Sequence, residues 1–345
     1  MKAAVFYGKH DLRVMDQPVP VPGAGQVQIK VHACGICGTD VHIFEGDEGA
    51  AKSPVGTILG HEFAGEITAV GAGVTEFTVG ERVCIDPNEL CGHCDYCRGG
   101  ICHYCTSMNG YGTTVNGGFA EYCVVPISQV YRIPDGLTYE QAAMAEPVAC
   151  CLHGIDMCEI HPGDTVAVFG AGMIGLIMLQ LAKLSGAATL ISIEPIAEKR
   201  ALAKKLGADL TIDPLTENVS DVLKHSGISR VNTVIECVGR TSTIEQAIEI
   251  AGPKAVVMMF GLTRPNDKIA VKPFDIFKRE IVLKASYINP YTQKRAVSLI
   301  SSGKIDVSSM VFDTISLEEL PVLLADTKKR GLGKYIVAPQ KNVEV

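Results

Sequence analysis

Residues 163–186 read "GDTVAVFGAGMIGLIMLQLAKLSG". A short apolar run of β type meets a glycine-rich turn, and the turn opens a segment of helical periodicity that ends at Gly186. Gly170, Gly172 and Gly175 have G-x-G-x-x-G spacing, which gains meaning from following a strand and opening a helix. Gly170 allows the tight turn, Gly172 lets a pyrophosphate approach the backbone, and Gly175 lets helix and strand pack closely. The N–H groups and dipole at the helix start favour phosphate. Glu194 ends the next β-type run, about twenty residues on, where a carboxylate accepts from adenosine ribose hydroxyls. It also repels a 2′-phosphate, so NAD is expected over NADP, although Lys199 and Arg200 lie close by.

The same texture continues in "TLISIE", "LTID", "NTVIECVG", "AVVMMFG" and "IVLKASY", with helical stretches such as "AEKRALAKKLG" and "STIEQAIEIAG" between them. Alternation of this kind implies βαβ units and a parallel sheet covered on both faces. Before residue 150 the texture is different: "QVQIKVHAC", "AGEITAVGAGV", "GERVCI" and "FAEYCVV" are short β-type runs separated by turn signals such as "VPGAG" and "PDG". After about residue 290, "YTQKRAVSLISSG" reads as a helix followed by a short mixed tail. At 345 residues the length suits about two domains. The formal charge of −7 provides no basic face for nucleic acid. The apolar run "MIGLIMLQLAKL" is shorter than the ~18–20 residues that cross a bilayer, so no membrane partner is expected. The N-terminus has neither an apolar h-region nor a small-residue cleavage site. Thirteen cysteines, an odd number, read as thiols and metal ligands in a reducing cytoplasm rather than a disulfide framework.

Cys91, Cys94, Cys97 and Cys105 form C-x2-C-x2-C-x7-C. Four thiolates complete a tetrahedral zinc and leave no open position, so this is expected to be a structural site, with Cys102 a bystander in the same loop. Chemistry must then lie elsewhere. Cys37, His61 and Glu62 offer sulfur, nitrogen and oxygen ligands, with a further carboxylate at Glu146. A catalytic zinc needs about three such ligands and one open position. These residues are far apart in the chain, so spacing alone does not assemble them.

"GICGTD", "GHEFAGEI", the four-cysteine stretch, "GGFAEY", "EPVA" and "GAGMIG" occur in the order found in the zinc-dependent medium-chain dehydrogenase/reductase family. The resemblance covers essentially the whole chain and is nearest to the polyol (sorbitol-like) dehydrogenases. It implies an α/β protein with a GroES-like, mostly β catalytic domain from residues 1–150, to which 290–345 return. A Rossmann NAD-binding domain, a doubly wound parallel sheet, is inserted at 151–289, with the active site in the cleft between the two. It implies Cys37 and His61 as zinc ligands, with Glu62 and Glu146 coordinating directly or through water. It further implies one catalytic and one structural zinc, and a proton relay through Thr39 and His42. For the cofactor it places Ile174 beneath the pyrophosphate turn and Lys199 at the adenosine ribose. Phe260, Gly261 and Leu262 lie on the nicotinamide side with Ser286, Tyr287 and Ile288. Ile288 stands where sorbitol dehydrogenases typically have an arginine that helps order the substrate site.

The expected reaction is oxidation of a secondary hydroxyl of a polyol or vicinal diol to the ketone by hydride transfer to NAD, in a homo-oligomer (tetramer or dimer). The loop "IFEGDEG" puts Glu45, Asp47 and Glu48 beside Phe44 as acceptors for substrate hydroxyls. An L-threonine 3-dehydrogenase is the alternative, suggested by "GTDVHIFEGDEGAAKS" and "IEPIAEKRALAKKLGA". Those enzymes usually carry tryptophan after "HI", whereas this chain has none. A non-catalytic NAD-binding protein would be expected to have lost catalytic zinc ligands, and here the set is complete.

Overall fold

The protein is described by a computed structural model covering residues 1–47 and 52–341. The chain divides into two compact units, one of Met1–Pro147, Gln293–Gly303 and Val307–Val345, the other of Val148–Thr292 and Lys304–Asp306.

The first unit is built on a seven-stranded sheet. Its spatial order is Val311–Ile315, Lys334–Val337, Gln26–Gly35, Glu62–Val70, Arg82–Ile85 and Val130–Arg132, with Tyr122–Pro126 also pairing with Gln26–Gly35. The central strand has the period-2 pattern of a sheet with one face in the core: Val27, Ile29, Val31 and Ala33 are fully buried and the residues between them are not. Phe63, Ile67, Ile85 and Phe119 pack in the same core. A hairpin of Lys2–Gly8 and Asp11–Asp16 and a short pair, Asn88–Glu89 with Asn109–Gly110, are the other paired strands among the described residues of this unit.

Register is what brings the site residues together. Gly35, at the end of the central strand, pairs with Glu62 on one side and Ile336 on the other. Lys334 begins the strand carrying Ile336 and is buried, as is Glu62. A Cβ on Gly35 would lie 2.0 Å from Glu62 Oε2 and 2.9 Å from Lys334 Cε. Only glycine leaves room for the two charged ends to meet.

The second unit is a six-stranded parallel sheet in the spatial order Leu210–Ile212, Thr189–Ile193, Thr165–Phe169, Thr233–Glu236, Val256–Met259 and Val282–Ala285. In chain order that is 3-2-1-4-5-6, the doubly wound arrangement whose switch point lies beside the first strand. The glycine turn follows that first strand. Gly170 has φ +88°, a conformation that penalises any Cβ, and a Cβ on Gly175 would fall 1.9 Å from Gly170 O. Among the described residues no helix is long and apolar enough to cross a membrane. None of the thirteen cysteines is in a disulfide.

Gly35→Ala is expected to lower stability by about 1–3 kcal/mol through overpacking, read as a drop in thermal midpoint. Gly172→Ala is the control, because nothing lies within 4 Å of its ideal Cβ. Equal midpoints in the two variants would contradict the tight packing at Gly35.

Candidate active site and metal centres

Helix Gly38–Glu45 carries the first group of site residues. Cys37 is its N-cap, and the side chain of Asp40 reaches back to accept from the Cys37 N–H at 2.8 Å. The other oxygen of Asp40 faces His61 Nδ1 at 3.5 Å. One buried carboxylate thus lies against both residues, and a ring that turns Nδ1 to Asp40 keeps Nε2 of His61 available to a metal. Ligand atoms of Cys37, His61 and Glu62 all lie within 4.8 Å of one another. Glu146 sits in the first turn of helix Ala145–Met157 and is buried, but falls outside that group.

The electrostatics of the cluster fit a cation. Burial lowers the pKa of the His61 imidazole, yet Asp40 and Cys37 together raise it well above its ordinary value. Glu62 Oε1 is buried without a hydrogen-bond partner. A sulfur, an imidazole and a carboxylate, with one oxygen bare, form a mixed donor set suited to zinc with room for a further ligand.

Thr39 and His42 stand three residues apart on the same helix, close to one face. His42 Nδ1 lies 3.3 Å from Asp47 Oδ2, which fixes the orientation of the ring. Glu45 differs from its expected role. His10 Nε2 at 2.7 Å and Arg330 Nη2 at 3.0 Å occupy its two oxygens, so it braces the helix end and is not a free acceptor for substrate. Glu48 lies outside the described residues.

The four lobe cysteines also bring their sulfurs within 4.8 Å of one another. Backbone N–H groups point at them: Cys91 N lies 3.3 Å from Cys105 Sγ, and Cys94 N lies 3.3 Å from Cys91 Sγ. Such donors, from Cys97 and Thr106, hold the Cys94 thiol down to about 6, while burial and the neighbouring thiols push Cys97 up to about 12. Four sulfurs sharing protons in this way become equivalent when a divalent cation replaces the protons. Cys102 is buried nearby and is not one of the four.

In the second unit, both oxygens of Glu194 accept backbone hydrogen bonds, from Ala171 N at 2.7 Å and Ile196 N at 3.0 Å. The residue expected at the ribose therefore also fixes the glycine turn. Open space at Gly172 and the first N–H groups of helix Met173–Leu184, which holds Ile174 and Gly175, fit a phosphate cradle. Lys199 is half-buried on helix Ala197–Lys205. Arg200 is tied to Glu194 O at 2.7 Å and Asp213 at 3.2 Å. Phe260 and Gly261 follow strand Val256–Met259, donate to Glu236 O and precede the exposed Leu262. Ser286, Tyr287 and Ile288 follow strand Val282–Ala285. The Ser286 hydroxyl is buried without a partner, and Ile288 has φ +46°. A β-branched residue in that conformation is strained, a condition that clusters at ligand sites.

Three organising residues have no sequence-level counterpart above. Asp40 could have been found, since an acid at the third helical position after a candidate ligand is a capping signal. Glu236 holds the N–H groups of Val238 and Gly239 and the Thr243 hydroxyl. Lys334 reaches Glu62 from the distant C-terminal strand.

Residues 23–135 match the alcohol dehydrogenase GroES-like domain, and residues 174–302 match the zinc-binding dehydrogenase domain. D-arabinitol dehydrogenase 1 of Uromyces fabae is 34% identical over 341 residues, covering 97% of both chains. The chain belongs to the zinc-dependent medium-chain dehydrogenases. An L-threonine 3-dehydrogenase of Pyrococcus abyssi is 36% identical over 318 residues, 90% of this chain and 89% of that one. A zinc-binding dehydrogenase of Sinorhizobium meliloti, solved with NADP, superposes with a TM-score of 0.94 at 37% identity, covering 98% of this chain and 99% of that one. This dehydrogenase is thus a zinc-dependent oxidoreductase with a GroES-like unit and a doubly wound unit.

Metal analysis of the wild type is expected to find about two zinc ions per chain. Cys37→Ser should retain one, with little change in thermal midpoint and no turnover. Cys97→Ser should also retain one, but with a clear drop in midpoint, because a structural zinc contributes folding free energy. The opposite pairing of effects would reverse the roles of the two clusters.

Proposed function

We propose that the enzyme oxidises a secondary hydroxyl of a polyol or vicinal diol to the ketone, with NAD as hydride acceptor. The observation that carries this reading is the group formed by half-buried Cys37 with buried His61 and Glu62, beside the helix bearing Thr39 and His42. Zinc held by these three residues would supply Lewis acidity to the substrate hydroxyl, and NAD would take the hydride. Thr39 passes the hydroxyl proton on and His42 receives it at Nε2, while Asp47 holds the ring through Nδ1. Glu146 lies outside the close group, which favours contact through water over direct ligation. Buried carboxylates at Glu62 and Glu146 suit a substrate with several hydroxyls better than an apolar alcohol.

The cofactor preference rests on Arg200. Its guanidinium is engaged by Glu194 O and Asp213, so it is not available for a 2′-phosphate, and the Glu194 carboxylate repels one. Phe260, Gly261, Leu262, Ser286, Tyr287 and Ile288 would frame the nicotinamide, with Lys199 at the adenosine ribose. A second reading, oxidation of L-threonine at its secondary hydroxyl, is favoured by the identity to the Pyrococcus enzyme. A screen of kcat/KM across polyols, diols, threonine and primary alcohols, each with NAD and NADP, tests these readings. Polyols or diols with NAD are expected to lead. Threonine leading would establish the second reading, and NADP leading would overturn the cofactor assignment.

We further propose a homo-oligomer working in the cytoplasm, where free thiols persist. The edge strand Val282–Ala285 exposes Val282 and Leu283, and Phe274 and Phe277 are 74% and 77% exposed on the preceding helix. An apolar sheet edge left to solvent invites strand pairing, and a second copy presents the same edge. Light scattering at micromolar concentration should give at least a dimer; a monomer at all concentrations would refute this.

A further inference from the structure

Lys334 and Glu62 are almost completely buried, with side-chain exposures of 2% and 0%. The Lys334 ammonium donates to Glu62 Oε2 and, at 2.8 Å, to Ile36 O, the carbonyl just before Cys37. Buried ion pairs in general contribute little net stability, because desolvation offsets the attraction. An apolar pair would have filled this place in the sheet at no loss. The pair is also incomplete, since Glu62 Oε1 remains buried with no hydrogen-bond partner. The ammonium touches Glu62 and the Ile36 carbonyl, and Glu62 lies in one cluster with Cys37 and His61. A cation bound among Cys37, His61 and Glu62 would satisfy the bare oxygen and share Glu62 with Lys334.

We propose that Lys334 is a positioning residue for the metal: it retains one oxygen of Glu62, so that this carboxylate ligates through the other oxygen alone and is released readily. The inference rests on the metal reading given above. A lysine ammonium close to a divalent cation weakens metal retention, and it keeps Glu62 from closing the coordination position a substrate needs. The site then exchanges ligands where a fully committed carboxylate would hold them.

The test is release of zinc from the holoenzyme into excess chromogenic chelator. The kinetic phase missing from Cys37→Ser identifies this site. In Lys334→Met that phase is expected to slow by about tenfold or more, the scale of outer-sphere effects on metal affinity. Its kcat should fall with KM for NAD unchanged. Lys334→Arg, whose fork can engage both carboxylate oxygens, should release zinc at least as fast as wild type. In a Glu62→Gln background, Lys334→Met should have a much smaller effect on release, because only the direct repulsion between ammonium and cation remains. Should Lys334→Met fail to fold, Lys334→Arg and the Glu62→Gln/Lys334→Met double variant, in which both charges are absent, still decide the matter. Faster release from Lys334→Met, slower release from Lys334→Arg, or an effect of undiminished size without Glu62 would each overturn the proposal. A wild type with no such phase would overturn the metal assignment and this inference with it, whereas a normal phase indifferent to Lys334 would overturn only this inference.

Discussion

The antiparallel pairing of Gln26–Gly35 with Glu62–Val70 sets the geometry of the catalytic unit. Side chains in a strand alternate between faces, so a slip of one residue would carry Glu62 to the opposite side of the sheet. In the observed register, the chain leaves Gly35, runs through Ile36 and caps a helix with Cys37, while the neighbouring strand begins with Glu62 directly after His61. Two segments far apart in the chain therefore bring three candidate ligand atoms to one point. The apolar faces of these strands, packed on Phe63 and Phe119, hold the register. The polar site depends on that apolar constraint.

Around the point, positions are fixed by groups outside the ligand set. Asp40 is the clearest case, joining the helix N-terminus to the imidazole through its two oxygens. Glu45 serves the other end of the same helix, between His10 and Arg330. In the doubly wound unit Glu194 and Glu236 play comparable parts, each turning a carboxylate onto backbone N–H groups of the loop it anchors. Carboxylates satisfied by backbone donors are rigid, and rigidity at second remove is what precise ligand placement requires.

Much of this was legible in the chain. The glycine turn, its strand and helix, and the cysteine lobe are local patterns, and their sequence reading agrees with the structure because short-range sterics and ligand spacing determine them. Cys37, His61 and Glu62 were recognisable only through resemblance, since their convergence depends on strand register. Lys334 was not legible. It lies in a stretch that reads as a mixed tail, and its partner Glu62 is 272 residues away in the chain. Glu45 misled for the opposite reason: an acidic residue beside a candidate site looks available until its partners, His10 and Arg330, are seen. The N-terminal hairpin was also missed, although "GKHD" between two β-type runs is an ordinary turn signal.

The discontinuity of the catalytic unit bears on the order in which the protein can be completed during synthesis. The doubly wound unit is nearly contiguous in the chain and has all six strands once residue 285 has been made. The catalytic unit begins earlier, yet its sheet lacks two strands until Val311–Ile315 and Lys334–Val337 emerge. Until then Glu62 has no ammonium beside it, and burying an uncompensated carboxylate is costly. Strands made before the doubly wound unit therefore settle after it, waiting on a lysine made later still. A nascent enzyme passes through a stage with its nucleotide fold complete and its reaction centre still open.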